Sequence, residues 1–279
     1  MTPKGKLLLI GRAEDRSAEE NAELRFEPFE LLKELLPGDK NDHAIEVITS
    51  ASEAPEHIKK SYTAAFNKVG HSNISFMHIA NKEDGRSSEF ERRITKSSAV
   101  FFSGGDQFRI STMIGGTLID DIIKDKYMHD KNFVVAGMGA GAMAIPEIMI
   151  WEGGCKESLM DSDLKTTAGL GLSKQCIIDT HFIKHGRFGR LAHAIALNPA
   201  KLGIGLGEDT ALVIENGTDA ICHGPGMIVF IDGKSIIHSN ITATLKNCPI
   251  YIDNLKVHLL ANGCRFSLEL RELYQPEMA

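Results

Sequence analysis

No apolar run in the 279-residue sequence approaches the roughly 20 residues that a membrane span requires. Near the N-terminus, Lys4 and Lys6 are followed only by Leu7–Ile10, an apolar stretch too short for the core of a signal peptide. These two absences predict a soluble, cytoplasmic protein with no membrane partner. Basic residues are not in excess either: 31 Lys and Arg face 37 Asp and Glu, for a net charge of −6. Binding to phosphate backbones needs a concentrated basic surface, so this balance argues against a nucleic-acid partner. It leaves room for cationic or zwitterionic ligands.

The five cysteines, Cys155, Cys176, Cys222, Cys248 and Cys264, are scattered and odd in number. No Cys-x-x-Cys pair and no Cys/His spacing suggests a metal site, which predicts reduced, buried thiols. Nothing indicates an organic cofactor. Proline-rich linkers, low-complexity tracts and internal repeats are also lacking, which predicts one domain over residues 1–279. What remains is ordinary for a globular chain: 43% apolar and 24% charged residues.

Short apolar runs alternate with amphipathic stretches through the first half. Strands are expected at Leu7–Ile10, Ile45–Ile48, Ile74–Ile79, Ala99–Phe102 and Phe133–Ala136. Between them, Ser17 and Glu20 resemble a capping box for a helix through Leu24, Phe29, Leu32 and Leu36 to the Pro37–Gly38 stop. Pro55 opens a helix closing near Gly70. Further helices are expected at Glu89–Lys96, Phe108–Ile114 and Leu118–Tyr127. This alternation predicts an α/β fold in three layers, a mostly parallel sheet flanked by helices. The later chain, around Gln175–Phe182, Leu202–Ile214 and Met227–Ile231, reads richer in strands, with turns at Asn216–Gly217 and Asp232–Gly233.

Ligands of parallel sheets bind off the carboxyl ends of the strands. That directs attention to Gly11, Ser103–Gln107 and Gly137–Gly141. The run Gly137-Met138-Gly139-Ala140-Gly141-Ala142 admits three readings. As Gly-x-Gly-x-x-Ala it fits a dinucleotide fingerprint, although it sits mid-chain, Pro146 soon interrupts the helix, and no acidic strand end follows at the expected distance. As a nucleophile elbow, Gly-x-Ser-x-Gly, it has glycine where the serine belongs. As a plain structural turn, it serves packing alone. Partners for an elbow are present. Phe102-Ser103-Gly104-Gly105-Asp106-Gln107 offers N–H groups that could join that of Ala140 in an oxyanion hole. His181 follows a strand in Asp179-Thr180-His181-Phe182, and Glu208 and Asp209 follow another.

These same segments resemble cyanophycinases: the first strand with Ala13-Glu14-Asp15, the Phe-Phe-Ser-Gly-Gly-Asp-Gln run, the elbow, Asp179–Arg190 and Leu202–Leu212. More distantly the chain is similar to peptidase E-type aspartyl dipeptidases and to the class I glutamine-amidotransferase-like, flavodoxin-like fold. The resemblance implies a serine-type exopeptidase that degrades cyanophycin, a poly-aspartate bearing arginine, to β-aspartyl-arginine. It also implies a homodimer. Carried over by motif, Gly139 stands at the nucleophile position, His181 at the general base and Glu208 at the carboxylate orienting it. Gly105 and Ala140 would supply the oxyanion hole. Gln107, Asp179, Thr180, His185, Arg187 and Arg190 fall in segments that contact substrate.

The chain departs from the pattern at Gly139, which cannot attack a carbonyl, and at Thr180, where the family carries glutamine. His185 replaces an arginine, and Arg12 stands where a second glycine is usual. The expectation is a cyanophycinase-like hydrolase with impaired catalysis acting on an aspartyl/arginine-containing peptide or cyanophycin-like polymer. The alternatives are a peptide-binding pseudoenzyme or sensor and, more remotely, a dinucleotide-binding protein. Ser103 and Thr180 are the side chains considered as stand-in nucleophiles, and Met143, Met149 and Met160 are expected in packing.

Overall fold

The computed structural model describes residues 2–12, 30–36, 43–154, 160, 164–242 and 248–274. The expected capping box at Ser17 and Glu20, the helix through Leu24 and Phe29, its Pro37–Gly38 stop, the Ala13–Asp15 motif and Cys155 lie outside them. The strands in chain order are β1 (Lys6–Ile10), β2 (Ile45–Ile48), β3 (Ile74–Met77), β4 (Ala99–Phe102), β5 (Val134–Met138), β6 (Ile148–Gly153), β7 (Leu164–Ala168), β8 (Cys176–Thr180) and β9 (Leu202–Leu206). They continue with β10 (Ala211–Glu215), β11 (Asp219–His223), β12 (Ile228–Asp232), β13 (His238–Ser239), β14 (Ile252–Asp253), β15 (Lys256–Leu260), β16 (Arg265–Ser267) and β17 (Glu272–Leu273). The helices are α1 (Pro55–Lys68), α2 (Ser88–Lys96), α3 (Gln107–Ile114), α4 (Leu118–His129), α5 (Ala140–Ala144) and α6 (Phe188–Leu197), and Glu30–Leu35 forms a 3₁₀ turn.

A nine-stranded sheet is ordered β17-β16-β11-β10-β1-β5-β4-β2-β3. Its β3-β2-β4-β5-β1 half is parallel, and β10, β11, β16 and β17 add antiparallel strands beyond β1. The unbroken apolar character of Leu7–Ile10 follows from burial on both faces. Leu7 and Leu9 enter one core with Val100, Phe102 and Val135. Leu8 and Ile10 enter the other with Val47, Phe101 and Ala136. The second core is closed by Phe66 of α1 and by Leu32 and Leu35 of the 3₁₀ turn. The first is closed by Ile94 of α2, Ile110 and Ile114 of α3, and Ile119 and Ile123 of α4. The helices begin where the chemistry allows. Pro55 opens α1, while Asp106 and Thr117 cap α3 and α4 by accepting from the N–H groups of Phe108 and Asp120.

The strand-rich second half does not simply extend the central sheet. A separate four-stranded sheet, β15-β12-β9-β8, packs on the first core, and β6 with β7 forms a hairpin. The expected run Leu202–Ile214 is therefore split: β9 belongs to the small sheet and β10 to the large one. The chain changes sheets through Gly207–Thr210, where Asp209 adopts φ 51°. The Asn216–Gly217 turn is confirmed, with φ 52° and 71° joining β10 to β11. Observed β5 runs further than the expected Phe133–Ala136 and carries the backbone directly into the elbow. Strand β3 stops at Met77 rather than Ile79. The free thiols of Cys176 and Cys222 are buried, which raises their pKa to about 11 and about 12 and makes them unreactive. Cys248 and Cys264 are half-buried.

Candidate active site

The elbow forms where β5 turns into α5. Gly139 has φ 58° and ψ −118°, a conformation hostile to residues with a Cβ, and its N–H donates to the carbonyls of Ile10 and Gly11, both at 3.0 Å. Its two glycine neighbours differ from it. A Cβ on Gly137 would lie 2.4 Å from the carbonyl carbon of Gly141, and one on Gly141 would lie 2.1 Å from the carbonyl oxygen of Phe102. A Cβ on Gly139 would meet nothing within 4 Å. Gly137 and Gly141 are required by packing, whereas Gly139 opens onto free space. The helix that follows spans only Ala140–Ala144, and Ala140 at its first position has an N–H with no intrahelical acceptor.

That free space is a cleft of about 730 Å³. Its walls bring together Gly139 and Ala140 of the elbow, Gly104, Gly105 and Gln107 from the end of β4, and Thr180, His181, Arg187 and Arg190 from the end of β8. The cleft opens off the carboxyl ends of strands from both sheets. The strands belong to two sheets, the elbow to the nine-stranded one and the histidine to the four-stranded one.

His181 sits at φ 54°, directly after β8. Its Nδ1 lies 3.3 Å from Oε1 of Glu208, a residue at the end of β9. This contact leaves Nε2 as the ring nitrogen available to the cleft. The pair is adjacent because β8 and β9 run parallel, with Thr180 opposite Leu206. Glu208 is 8% exposed and lines a neighbouring hollow rather than the cleft, so it backs the imidazole from behind. Burial pulls the His181 pKa below its usual value, and the charges of Arg187 and Arg12 act in the same direction. The hydrogen bond that Glu208 accepts from the ring partly opposes them. The net effect favours the neutral ring, the state a proton acceptor needs.

The Gly104-Gly105 turn is held by close contact. Gly105 has φ 144°, and a Cβ there would lie 2.3 Å from the carbonyl oxygen of Ala51. Gln107 lines the cleft and donates through Nε2 to the carbonyls of Ile150 at 3.0 Å and Trp151 at 3.1 Å, tying the start of α3 to β6. Ser103 is fully buried and outside the cleft lining, which removes it as a stand-in nucleophile. Thr180 borders the cleft, but its hydroxyl lies 3.4 Å from the sulfur of Met143 and the residue is 1% exposed. Met143 also borders the cleft, so it is not confined to packing.

Two residues expected in substrate-contacting segments, Asp179 and His185, do not line the cleft. Asp179 is 0% exposed and does not reach the cleft. Its carboxylate grips Arg190 in a bidentate pair, with Nε at 2.8 Å and Nη2 on the second oxygen, and also accepts from Nη1 of Arg187 at 3.3 Å. A buried carboxylate is stable only when paired in this way, and the pairing fixes the two arginines that do border the cleft. Arg187 also donates to the carbonyl of Thr180 at 2.7 Å, so neither arginine is a solvated helix charge. His185 is exposed and outside the cleft lining, with its ring edge-on to His181 at 5.1 Å.

Sequence reasoning did not find Tyr62, Trp151, Glu152 or Met138, all of which border the cleft. Tyr62 lies on α1 and Trp151 on β6, so only tertiary crossovers bring them near the elbow. Burial raises the Tyr62 pKa, and the phenol stays protonated. Among the described residues no group of His, Cys, Asp and Glu could hold a metal ion, and no helix is long and apolar enough to cross a membrane.

The family model that matches the chain is peptidase family S51, over residues 7–221. A cyanophycinase from Nostoc sp. is 34% identical over 227 residues, covering 81% of this chain and 76% of the relative. A cyanophycinase from Geminocystis herdmanii is 27% identical over 273 residues, covering 98% of this chain and 96% of the relative. The crystal structure of a peptidase from an acI-B1 Actinobacterium superposes with a TM-score of 0.64 at 21% identity, covering 95% and 97% of the two chains, and so shares the fold. The matched residues include both the elbow and the His181–Glu208 pair, and the chain belongs to peptidase family S51.

Proposed function

We propose that the chain is a cyanophycinase-like peptidase homologue that binds aspartyl peptides or a cyanophycin-like polymer in the cleft and hydrolyses them poorly. The observation that carries this reading is Gly139: an elbow backbone with an empty Cβ direction, bordering the same cleft as an imidazole backed by a carboxylate. In a serine peptidase the hydroxyl at this bend attacks the scissile carbonyl while the histidine takes its proton. Here the base and its orienting carboxylate remain, and the N–H groups of Gly105 and Ala140 are the oxyanion donors of this reading. The attacking atom is missing.

Loss of the nucleophile from a serine hydrolase costs about 10⁶-fold in turnover yet leaves about 10³–10⁴ over water. The residual route is direct: a water beside Gly139 adds to the carbonyl while His181 accepts its proton. The C–N bond then breaks, and His181 returns the proton to the departing amine. Substrate binding, which relies on Gln107, Arg187 and Arg190, does not depend on residue 139.

The test incubates the protein and its Gly139→Ser variant with cyanophycin and with β-aspartyl-arginine oligomers, measuring binding and product separately. Binding by both proteins with product mainly from Gly139→Ser supports the reading. Efficient turnover by the unsubstituted chain contradicts impairment, and absence of binding by either protein contradicts the substrate class.

A further inference from the structure

The charges around the cleft do not suit an arginine-bearing ligand equally well on all sides. Arg12, Arg187 and Arg190 line it, whereas among the described lining residues Glu152 is the only carboxylate. Glu152 is already engaged by Lys165, whose Nζ lies 2.6 Å from Oε2. Asp179 lies beneath the surface at 0% exposure, committed to Arg187 and Arg190. A ligand guanidinium entering this cleft finds no uncommitted acidic partner among the described residues.

Anionic groups find the opposite situation. The backbone of Arg12 is clamped on both sides: Gly11 accepts from the elbow N–H of Gly139 at 3.0 Å, and Arg12 accepts from the N–H of Asp209 at 2.7 Å. Its Cα is thus fixed between the elbow and the Glu208 loop. Among the described residues its guanidinium makes no hydrogen bond or ion pair, and its charge acts on both His181 and Tyr62. Arg187 also borders the cleft, and its Nε is buried without an acceptor among the described residues. A guanidinium presents a planar fork that matches the two oxygens of a carboxylate.

We propose that the cleft selects β-aspartyl peptides whose next residue is acidic over those in which it is arginine, and that Arg12 is the specificity-determining residue that reads the added carboxylate. This rests on the cleft being a peptide site, as proposed above, and narrows which peptide enters it. Arg12 stands beside the space that Gly139 leaves open, so the anion reader and the missing nucleophile are parts of one altered corner.

The experiment is calorimetric titration of the full chain with β-aspartyl-aspartate, β-aspartyl-asparagine and β-aspartyl-arginine. It is repeated for Arg12→Ala and Arg12→Lys, with melting temperatures confirming that the variants fold. Charge-assisted hydrogen bonds predict that β-aspartyl-aspartate binds about 10- to 100-fold more tightly than its neutral isostere. Arg12→Ala should erase that margin while leaving β-aspartyl-asparagine unchanged, and Arg12→Lys should retain part of it. Tighter binding of β-aspartyl-arginine than of β-aspartyl-aspartate overturns the proposal, as does an equal loss for the acidic and neutral peptides in Arg12→Ala. In both cases the cleft remains a peptide site. If none of the three peptides binds, the underlying peptide-site reading fails and this proposal with it. Competition by inorganic phosphate as strong as that by β-aspartyl-aspartate also overturns it, because it would make Arg12 a general anion site.

Discussion

The nine-stranded and four-stranded sheets contribute to the cleft in different ways. The large sheet supplies backbone: the Gly139 bend, the Gly104-Gly105 turn and the N–H of Ala140. The small sheet supplies side chains: His181 with Glu208 behind it, and Arg187 with Arg190 standing on Asp179. The backbone half is locked at Gly105, Gly137 and Gly141 by contacts that leave no room for a Cβ, whereas each group of the side-chain half is held by a polar partner. In the function proposed above, the bend at Gly139 is where an attacking side chain is absent. Under the proposed reading, a site can lose its reactive group without losing its architecture, because strands and glycine contacts build the architecture and a single side chain provides the attack.

The largest effect expected from this contrast separates two glycines of one turn. Gly141→Ala drives a Cβ into the Phe102 carbonyl at 2.1 Å and should cost about 4 kcal/mol or more, the range of exceptional core damage. Gly139→Ala meets no neighbour and should cost only the backbone strain, about 1–3 kcal/mol. Denaturant unfolding of both variants measures the difference, and similar losses would abolish the distinction between packing glycine and open glycine. Next in size is Asp179→Ala, which leaves the buried Arg190 and the half-buried Arg187 around a missing carboxylate. A loss of about 3–5 kcal/mol is expected by the same method. A loss under about 1 kcal/mol would mean that the arginines have another anchor.

Smaller effects concern His181. Its pKa in the folded protein is below the unfolded value, so the native state binds fewer protons than the unfolded chain at mildly acidic pH. Stability should fall as pH drops from about 6.5 through the folded-state pKa, and His181→Asn should flatten that slope. Glu208→Gln removes the partner that raises the ring's affinity for protons and should lower the His181 pKa further in an NMR titration. An unchanged value would separate Glu208 from the imidazole.

Much of the site could be read in the chain because its signals are local. Apolar runs ended by Gly137–Gly141, Gly104–Gly105 and His181 marked the strand ends that converge, and α/β alternation marked the parallel half of the sheet. The assignment of strands to two sheets was not legible, since β9 and β10 have the same apolar character and only the φ 51° turn at Asp209 redirects the chain. Asp179 looked like a ligand contact because its buried role depends on Arg190, which lies eleven residues further along the chain on α6. Tyr62 carries no local mark and reaches the cleft through the placement of α1. The difference between Gly139 and its glycine neighbours was invisible too, because it depends on which atoms stand opposite each missing Cβ.

The placement of residue 139 can be tested without any substrate. In a Gly139→Cys variant the thiol would project from the bend toward His181, beside Arg12, and its alkylation rate by iodoacetamide can be followed against pH. The account predicts a thiol pKa well below the free value of about 8.5, and a rise toward that value when His181→Ala is added. A pKa of about 8.5 or higher that ignores the His181 substitution would place the bend away from the imidazole and contradict the assignment of the elbow.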